Sequence, residues 1–270
     1  MKGDDDNPIR FGSGVVTLLD PKRGAERSFN RYYERERFFA TVMLGPGVLS
    51  GKRFVAGRRE KAQRRIFDAS LDPGRGSFLN MYWVLGDGKE LEEWTPGQVE
   101  RLQAEGRTNW DRVPYWAYRP KLEWSVSGPP DTIPAVLALL HGYKGLVMAI
   151  ARPSSPAEFD EASAWYRAAC APGTIDGRSP ARLCVAFRAH RRFVPRTPGD
   201  LPPAGFSSDE VQLLLFWFLE DEPGESWTAI ADCHEERLAA THLLSPVWMS
   251  PFVATVPGTD RYMDSLWLTP

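Results

Sequence analysis

Histidine and cysteine are scarce in this sequence, with four and three residues among 270. Cys170, Cys184 and Cys233 lie far apart, without C-x-x-C or C-x-x-H spacing, so neither a zinc site nor a disulfide framework is expected. The count suits a reducing cytoplasm, and a cytoplasmic location is the expectation. No apolar run reaches the roughly 18 residues of a membrane helix. The first ten residues, Met1 to Arg10, are acidic and lack an apolar signal core. No charge excess exists either. The net charge is −2, which gives no electrostatic reason to expect nucleic acid. The one basic cluster, Arg58, Arg59, Lys61, Arg64 and Arg65, reads as a solvated face before it reads as an anion site. Familiar catalytic signatures are missing. There is no GxGxxG, P-loop or G-x-S-x-G, and Gly12-Ser13-Gly14 precedes a strand. His234-Glu235-Glu236 has no second histidine four residues on, so a zinc protease is not indicated and no metal is expected.

Aromatic residues are plentiful: ten are tryptophan, and aromatics total 12%. Large rings serve core packing, and they also suit a cavity for an aromatic ligand. The remaining composition, 43% hydrophobic and 25% charged, is that of a globular protein.

Four landmarks recur in the same order at a spacing of roughly 125–135 residues, the mark of an internal repeat. Val15-Val16-Thr17-Leu18-Leu19-Asp20-Pro21 matches Val147-Met148-Ala149-Ile150-Ala151-Arg152-Pro153. Pro46-Gly47-x-x-x-Gly51-Lys52 matches Pro172-Gly173-x-x-x-Gly177-Arg178. Leu79 to Asp87 matches Leu213 to Asp221, and Pro114-Tyr115-Trp116 matches Pro246-Val247-Trp248. Drift in the spacing follows from a shorter first helix in the second copy and from a Pro-rich insertion between Pro195 and Gly205. The expected units are 12–127 and 133–262, with extensions at 1–11 and 263–270.

Each unit reads as strand, helix, strand, strand, helix, strand. Val15 to Leu19 is a strand closed by Pro21. Phe29 to Leu44 is a helix stopped by Pro46-Gly47. Strands follow at Lys52 to Ala56 and Leu79 to Leu85. Thr95 to Gly106 is a helix with Pro96 in its first turn, and Tyr115 to Tyr118 begins the last strand. This is the ferredoxin-like order βαββαβ. Its sheet has one bare face, which a second copy can cover.

Phe29-Asn30-Arg31-Tyr32-Tyr33-Glu34-Arg35-Glu36-Arg37, followed by Pro46-Gly47, resembles the first-helix signature of the dimeric α+β barrel superfamily, EthD-like branch. Arg37 stands where that signature places a histidine. The resemblance implies an α+β fold in which two ferredoxin-like repeats set their antiparallel sheets face to face as a barrel. It also implies small-molecule chemistry, often without a cofactor, and haem in some branches.

Candidate site residues follow from the repeat. Leu79, Met81, Trp83 and Leu85 correspond to Leu213, Leu215, Trp217 and Leu219, which suggests a shared core face. The other face differs, with Asn80 and Tyr82 in the first unit. On a 3.6-residue helix, Glu36 shares a stripe with Phe29, Tyr32, Tyr33, Ala40 and Met43, so a buried carboxylate is expected. His234 shares a stripe with Trp227, Ile230, Ala231 and Leu238. The resulting expectation is a cofactor-independent lyase or isomerase acting on an apolar or aromatic small molecule in an internal cavity. Glu36, His234 and Tyr33 would be catalytic, with Asn80, Tyr82, Tyr32, Arg53 and Arg37 binding substrate. The alternatives are a cofactor-free monooxygenase and a non-catalytic carrier. The chain is expected to be a monomer or a homodimer.

Overall fold

A computed structural model describes residues 11–128, 133–176, 179–190, 192 and 210–268. The acidic start, the Gly177-Arg178 landmark and the Pro-rich insertion lie outside these. The first half runs β1 (Phe11–Pro21), α1 (Glu26–Tyr32), a π-helix (Tyr33–Met43), β2 (Val48–Val55), α2 (Arg58–Ala62), β3 (Arg65–Ile66), β4 (Phe78–Leu85), α3 (Lys89–Ala104), β5 (Arg112–Tyr118) and β6 (Lys121–Ser127). The second runs β7 (Gly145–Pro153), α4 (Phe159–Ala169), α5 (Ala171–Thr174), β8 (Ala181–His190), β9 (Val211–Leu219), α6 (Thr228–Ala239) and β10 (Leu244–Ala254). The protein is a mixed α+β fold built on one large antiparallel sheet.

The strand order is β2-β4-β1-β6-β8-β9-β7-β10, with β5 also on β1 and β3 on β10. β10 meets β2 through Val253 opposite Val55 and Ala254 opposite Phe54, which closes the sheet on itself. That closing seam is short, because β2 is eight residues long and only two pair across it.

Strand alternation sends one set of side chains inward and the other outward under the helices. Val16, Leu18, Leu79, Met81, Trp83, Met148, Ile150, Leu214, Phe216 and Phe218 form the inner cluster. The segment joining the halves adds Ala135, Val136, Ala138, Leu139 and Tyr143 to it, and Trp83 Nε1 donates to the Ala135 carbonyl at 2.9 Å. The barrel centre is therefore packed with apolar side chains, where an internal cavity was expected. A second cluster lies outside, where Val147, Ala149, Leu213, Leu215 and Trp217 meet α4 and α6.

Register corrects the face assignment. Val15 pairs with Tyr82 and Val147 pairs with Trp217. Tyr82 and Trp217 thus hold equivalent places, and so do Asn80 and Leu215. The sequence match is one residue out in this strand, and a slip of one reverses every side chain. Leu79, Met81 and Trp83 face inward, whereas Leu213, Leu215 and Trp217 face outward.

The expected α-helix at Phe29 to Leu44 is α1 continued by eleven residues of π-helix, with Leu44 N–H bonded to the Phe39 carbonyl five residues back. The chain then turns at Gly47, whose φ of 72 is in the left-handed region that favours glycine. The second helix begins at Lys89, six residues before the expected Thr95, and Pro96 lies inside it.

The basic cluster is solvated only in part: Arg58 and Arg59 are exposed, while Lys61, Arg64 and Arg65 are drawn into the protein. Lys61 is buried and donates to Ser77 Oγ at 2.7 Å and the Leu266 carbonyl at 2.8 Å. Arg64 donates to the carbonyls of Pro73, Arg75 and Gly76 and to Ser250 Oγ. Arg65 joins Asp232 and Glu235 on α6. These cations pin the first half to the second and to the chain's end.

Candidate functional site

The π-helix presents two sides. Its i→i+5 ladder brings residues four and five apart into line. Tyr33, Arg37 and Val42 line a small cavity of about 50 Å³ together with Val15, Thr17, Tyr82, Arg112 and Trp116. Glu34, Phe38 and Phe39 line a larger cleft of about 370 Å³. Such a run is rare, and π-turns occur frequently at functional sites. Close packing requires Gly51 on β2, where a Cβ would lie 2.6 Å from Tyr82 and 2.8 Å from Phe38.

The cleft opens where the β2–β10 seam ends. Its other walls are Lys52 and Arg53 of β2, the 139–142 loop, Thr255 and Pro257. Phe39 and Leu140 are 54% and 67% exposed, so its lip is apolar. Polar groups sit behind that lip. Arg53, 4% exposed, spreads across three elements. Its Nε donates to Asn80 Oδ1 at 3.1 Å, and its Nη1 to Asn30 Oδ1 at 3.0 Å and Glu34 Oε1 at 3.4 Å. Its Nη2 is buried without a partner. Burial pulls the guanidinium below its ordinary pKa, while Tyr33, Glu34 and Tyr82 oppose that shift. Lys52 Nζ donates to the carbonyls of His141 and Tyr143 at 2.7 and 3.0 Å, and burial lowers its pKa to about 8. His141 Nε2 lies 3.1 Å from Glu220 Oε1. A carboxylate partner of this kind orients an imidazole and fixes which nitrogen carries the proton. Sequence reasoning missed Lys52, Glu34, His141 and Glu220. Lys52, a charged residue within a strand, was the only available signal.

The expected site residues divide among three places. Arg53 borders the cleft. Asn80 stands behind it, its amide donating to Thr17 Oγ1 at 3.1 Å, so its hydrogen bonds serve the protein. Tyr33, Tyr82 and Arg37 line the small cavity, where the two tyrosine hydroxyls are 3.3 Å apart. Tyr32 packs on Phe29. Glu36 was expected on the buried face, but it turns outward and pairs with Arg107 at 2.7 Å. Its position was assigned with a 3.6-residue period that the π-helix does not follow.

His234 lies far from these. It is fully buried on α6 between Tyr166 and Trp217. Its Nδ1 is 2.5 Å from the Tyr166 hydroxyl, and its Nε2 has no partner. Burial lowers its pKa to about 3, so it is neutral. Neither Glu36 nor His234 lines the cleft or the small cavity. The helices that carry them lie outside the barrel, over different halves.

No family model and no curated protein matches the sequence. Solved structures do match in fold. An anthrone oxidase-like protein is 13% identical with a TM-score of 0.51, and the alignment covers 94% of both chains. A chlorite dismutase-like protein is 10% identical with a TM-score of 0.50, over 92% of this chain and 97% of that one. A heme-binding protein from Thermus thermophilus is 10% identical with a TM-score of 0.47, over 94% of both chains.

The cofactor-free expectation is corrected by the chlorite dismutase-like neighbour, which points to haem rather than to no cofactor. The described residues nevertheless do not build a haem site as packed. His234 offers an unpartnered nitrogen, but it is enclosed by Tyr166 and Trp217 and borders none of the cavities described above. His141 borders space, but Glu220 already holds its Nε2. For these two histidines donor and space do not coincide. At these identities the likeness extends to architecture: the chain has the fold of the dimeric α+β barrel, ferredoxin-like proteins.

Proposed function

We propose that the cleft between the π-helix and the open edge of β2 is the active site of an oxidoreductase. Its substrate would be an aromatic small molecule with an acidic O–H or benzylic C–H, and molecular oxygen would be the oxidant. The observation that carries the reading is Arg53. It borders an apolar, ring-walled cleft, and its buried Nη2 has no partner. A buried donor left unpaired costs about 1–3 kcal/mol, and a substrate oxyanion would supply the missing acceptor.

Phe38, Phe39 and Leu140 would bind the rings, and the roughly 300–1,000 Å³ range of small-molecule sites includes this cleft. His141, oriented by Glu220, would take the substrate proton. Arg53 and Lys52 would hold the oxyanion that forms. For a benzylic ketone the balance is CH2 + O2 → C=O + H2O, with one oxygen atom entering at the deprotonated carbon and the other leaving as water. The fold shared with an anthrone oxidase-like protein favours oxygen chemistry over the lyase or isomerase reading. The two halves, 12–127 and 133–262, are further proposed to be diverged copies. The support is that β2-β4-β1-β6 and β8-β9-β7-β10 repeat one strand order.

The test is oxygen uptake with a panel of naphthols and anthrones, with product analysis. Uptake matching product is expected, and His141→Ala should lower the rate about 10²-fold or more with the circular dichroism unchanged. Saturable binding without any uptake would replace this reading with a carrier. A permanently anionic ligand such as 2-naphthoate should bind more weakly above about pH 8, as Lys52 loses its proton.

A further inference from the structure

The small cavity on the other side of the π-helix has an unusual electrostatic balance. Two arginines, Arg37 and Arg112, line it, and no acidic residue does. Arg37 has no hydrogen-bond or ion-pair partner among the described residues. Arg112 is 7% exposed. Its Nη1 donates to the Asn109 carbonyl at 3.0 Å, and its guanidinium lies 4.5 Å from the centre of the Trp110 ring. Neither contact neutralises its charge. The nearby carboxylate of Asp111 lies 3.6 Å from Lys22. Burial and then Arg37 lower the Arg112 pKa to about 10, so the strongest charge acting on it has the same sign. Two buried or half-buried cations facing one cavity without a counter-charge repel each other.

The rest of the lining is suited to an anion. The Tyr33 and Tyr82 hydroxyls meet there at 3.3 Å, and burial raises the Tyr82 pKa well above its ordinary value, so that hydroxyl keeps its proton. One hydroxyl donates to the other, which leaves the second with a proton to donate. Val15, Val42, Pro114 and Trp116 enclose the space and limit its size. About 50 Å³ admits a few atoms and no ring.

We propose that this cavity is a binding site for a small monovalent oxyanion such as formate or nitrate, held by Arg37, Arg112 and the Tyr33–Tyr82 hydroxyl pair. The anion supplies the missing counter-charge and fastens the π-helix to β1 and β5. The proposal does not depend on what the neighbouring cleft does. Tyr33 and Arg37 belong to the same helix as Glu34, Phe38 and Phe39, so occupancy here would brace one wall of that cleft.

Calorimetric titration of the full chain with sodium formate and with sodium nitrate, at constant ionic strength, tests it. Benzoate, a carboxylate too large for the cavity, is the third arm. Saturable one-site binding of formate and nitrate is expected, with none for benzoate. Arg37→Gln should weaken that binding at least about tenfold, equivalent to about 1.4 kcal/mol. The half-buried, unpartnered Arg37 side chain should allow that variant to fold, which circular dichroism checks. Tyr33→Phe gives a second, smaller loss. Absence of saturable heat would overturn the proposal, and so would equal affinity in Arg37→Gln. Binding of benzoate as tightly as formate would overturn it too, showing instead a port for the carboxylate of a larger ligand.

Discussion

The two halves fill the layer between helix and sheet with opposite chemistry. Under α4 and α6 that layer is mostly apolar, with Ala149, Leu213, Leu215 and Trp217, and its buried polar groups meet in isolated pairs: His234 with Tyr166, Trp124 with Ser163 and Trp217 with Thr174. Under α1 and the π-helix it is a network. Asp260 and Thr259 accept from Asn30, Asn30 and Asn80 accept from Arg53, and Asn80 donates to Thr17. Arg53 stands at its centre, with Tyr33 and Phe78 rings 4.4 and 4.7 Å from its guanidinium. The apolar layer needs only shape and area. A polar layer must satisfy every buried group, and each one left over points to a missing partner. In the first half Arg53 Nη2, Ser13 Oγ and Ser50 Oγ are left over together with the uncompensated Arg37–Arg112 pair, and Arg53 borders the cleft while Arg37 and Arg112 border the small cavity. His234 Nε2 and Trp248 Nε1 are left over in the second, and neither residue lines the cleft or the small cavity. The first half is therefore the one whose unsatisfied cations border open space.

The largest expected effect comes from making the halves alike. Asn80→Leu gives β4 the residue type that β9 has at Leu215 and removes the acceptor of Arg53 Nε. Leaving the buried Nε of a charged guanidinium without an acceptor, with Asn30 and Glu34 still on Nη1, should cost about 3 kcal/mol, read from urea unfolding. Adding Arg53→Leu should recover most of that loss while ending ligand binding in the cleft. A loss below about 1 kcal/mol for Asn80→Leu alone would show that the network is not what holds this layer.

The second half offers an effect on pH dependence. Below 6.5 the unfolded chain protonates His234, while the folded chain refuses the proton down to about 3. Stability should fall as pH drops through that window, by an amount on the order of a few kcal/mol. The paired change His234→Leu with Tyr166→Phe removes both polar partners and should flatten this part of the stability curve. Oxidation rate at neutral pH should not change. An unchanged acid limb would place the sensitivity elsewhere.

Smaller effects belong to the surface. Phe39→Ser at the exposed lip of the cleft should weaken aromatic ligands about tenfold with stability nearly constant, measured by titration. Glu36→Gln removes a half-exposed pair with Arg107 and should cost about 0–1 kcal/mol without altering rate. A large rate loss in Glu36→Gln would return that carboxylate to the chemistry.

Much of the fold was legible in the sequence. Aromatic and apolar runs bounded by Pro and Gly marked β1, β4 and β9, and their order implied βαββαβ. The register of β9 was not legible, because Leu213 to Leu219 is apolar on both faces and alternation carries no information there. The π-helix escaped because helical stripes were drawn with the α period, which misplaced Glu36. Arg53 was legible as a charge inside a strand. The cleft was not, because it exists only where β2 and β10 fail to zip, and those strands lie at opposite ends of the chain. His141 sits in the segment between the halves, outside any periodic element. Its partner Glu220 follows β9 directly.

The central claim is that the first half holds the site, and a crystal structure with a bound naphthol or anthrone tests it most directly. The account predicts the rings between Phe38, Phe39 and Leu140, with the ligand oxygen at Arg53 Nη2 and within reach of His141. A ligand seated against His234 under α6, or among Met81 and Phe216 in the barrel centre, would contradict it.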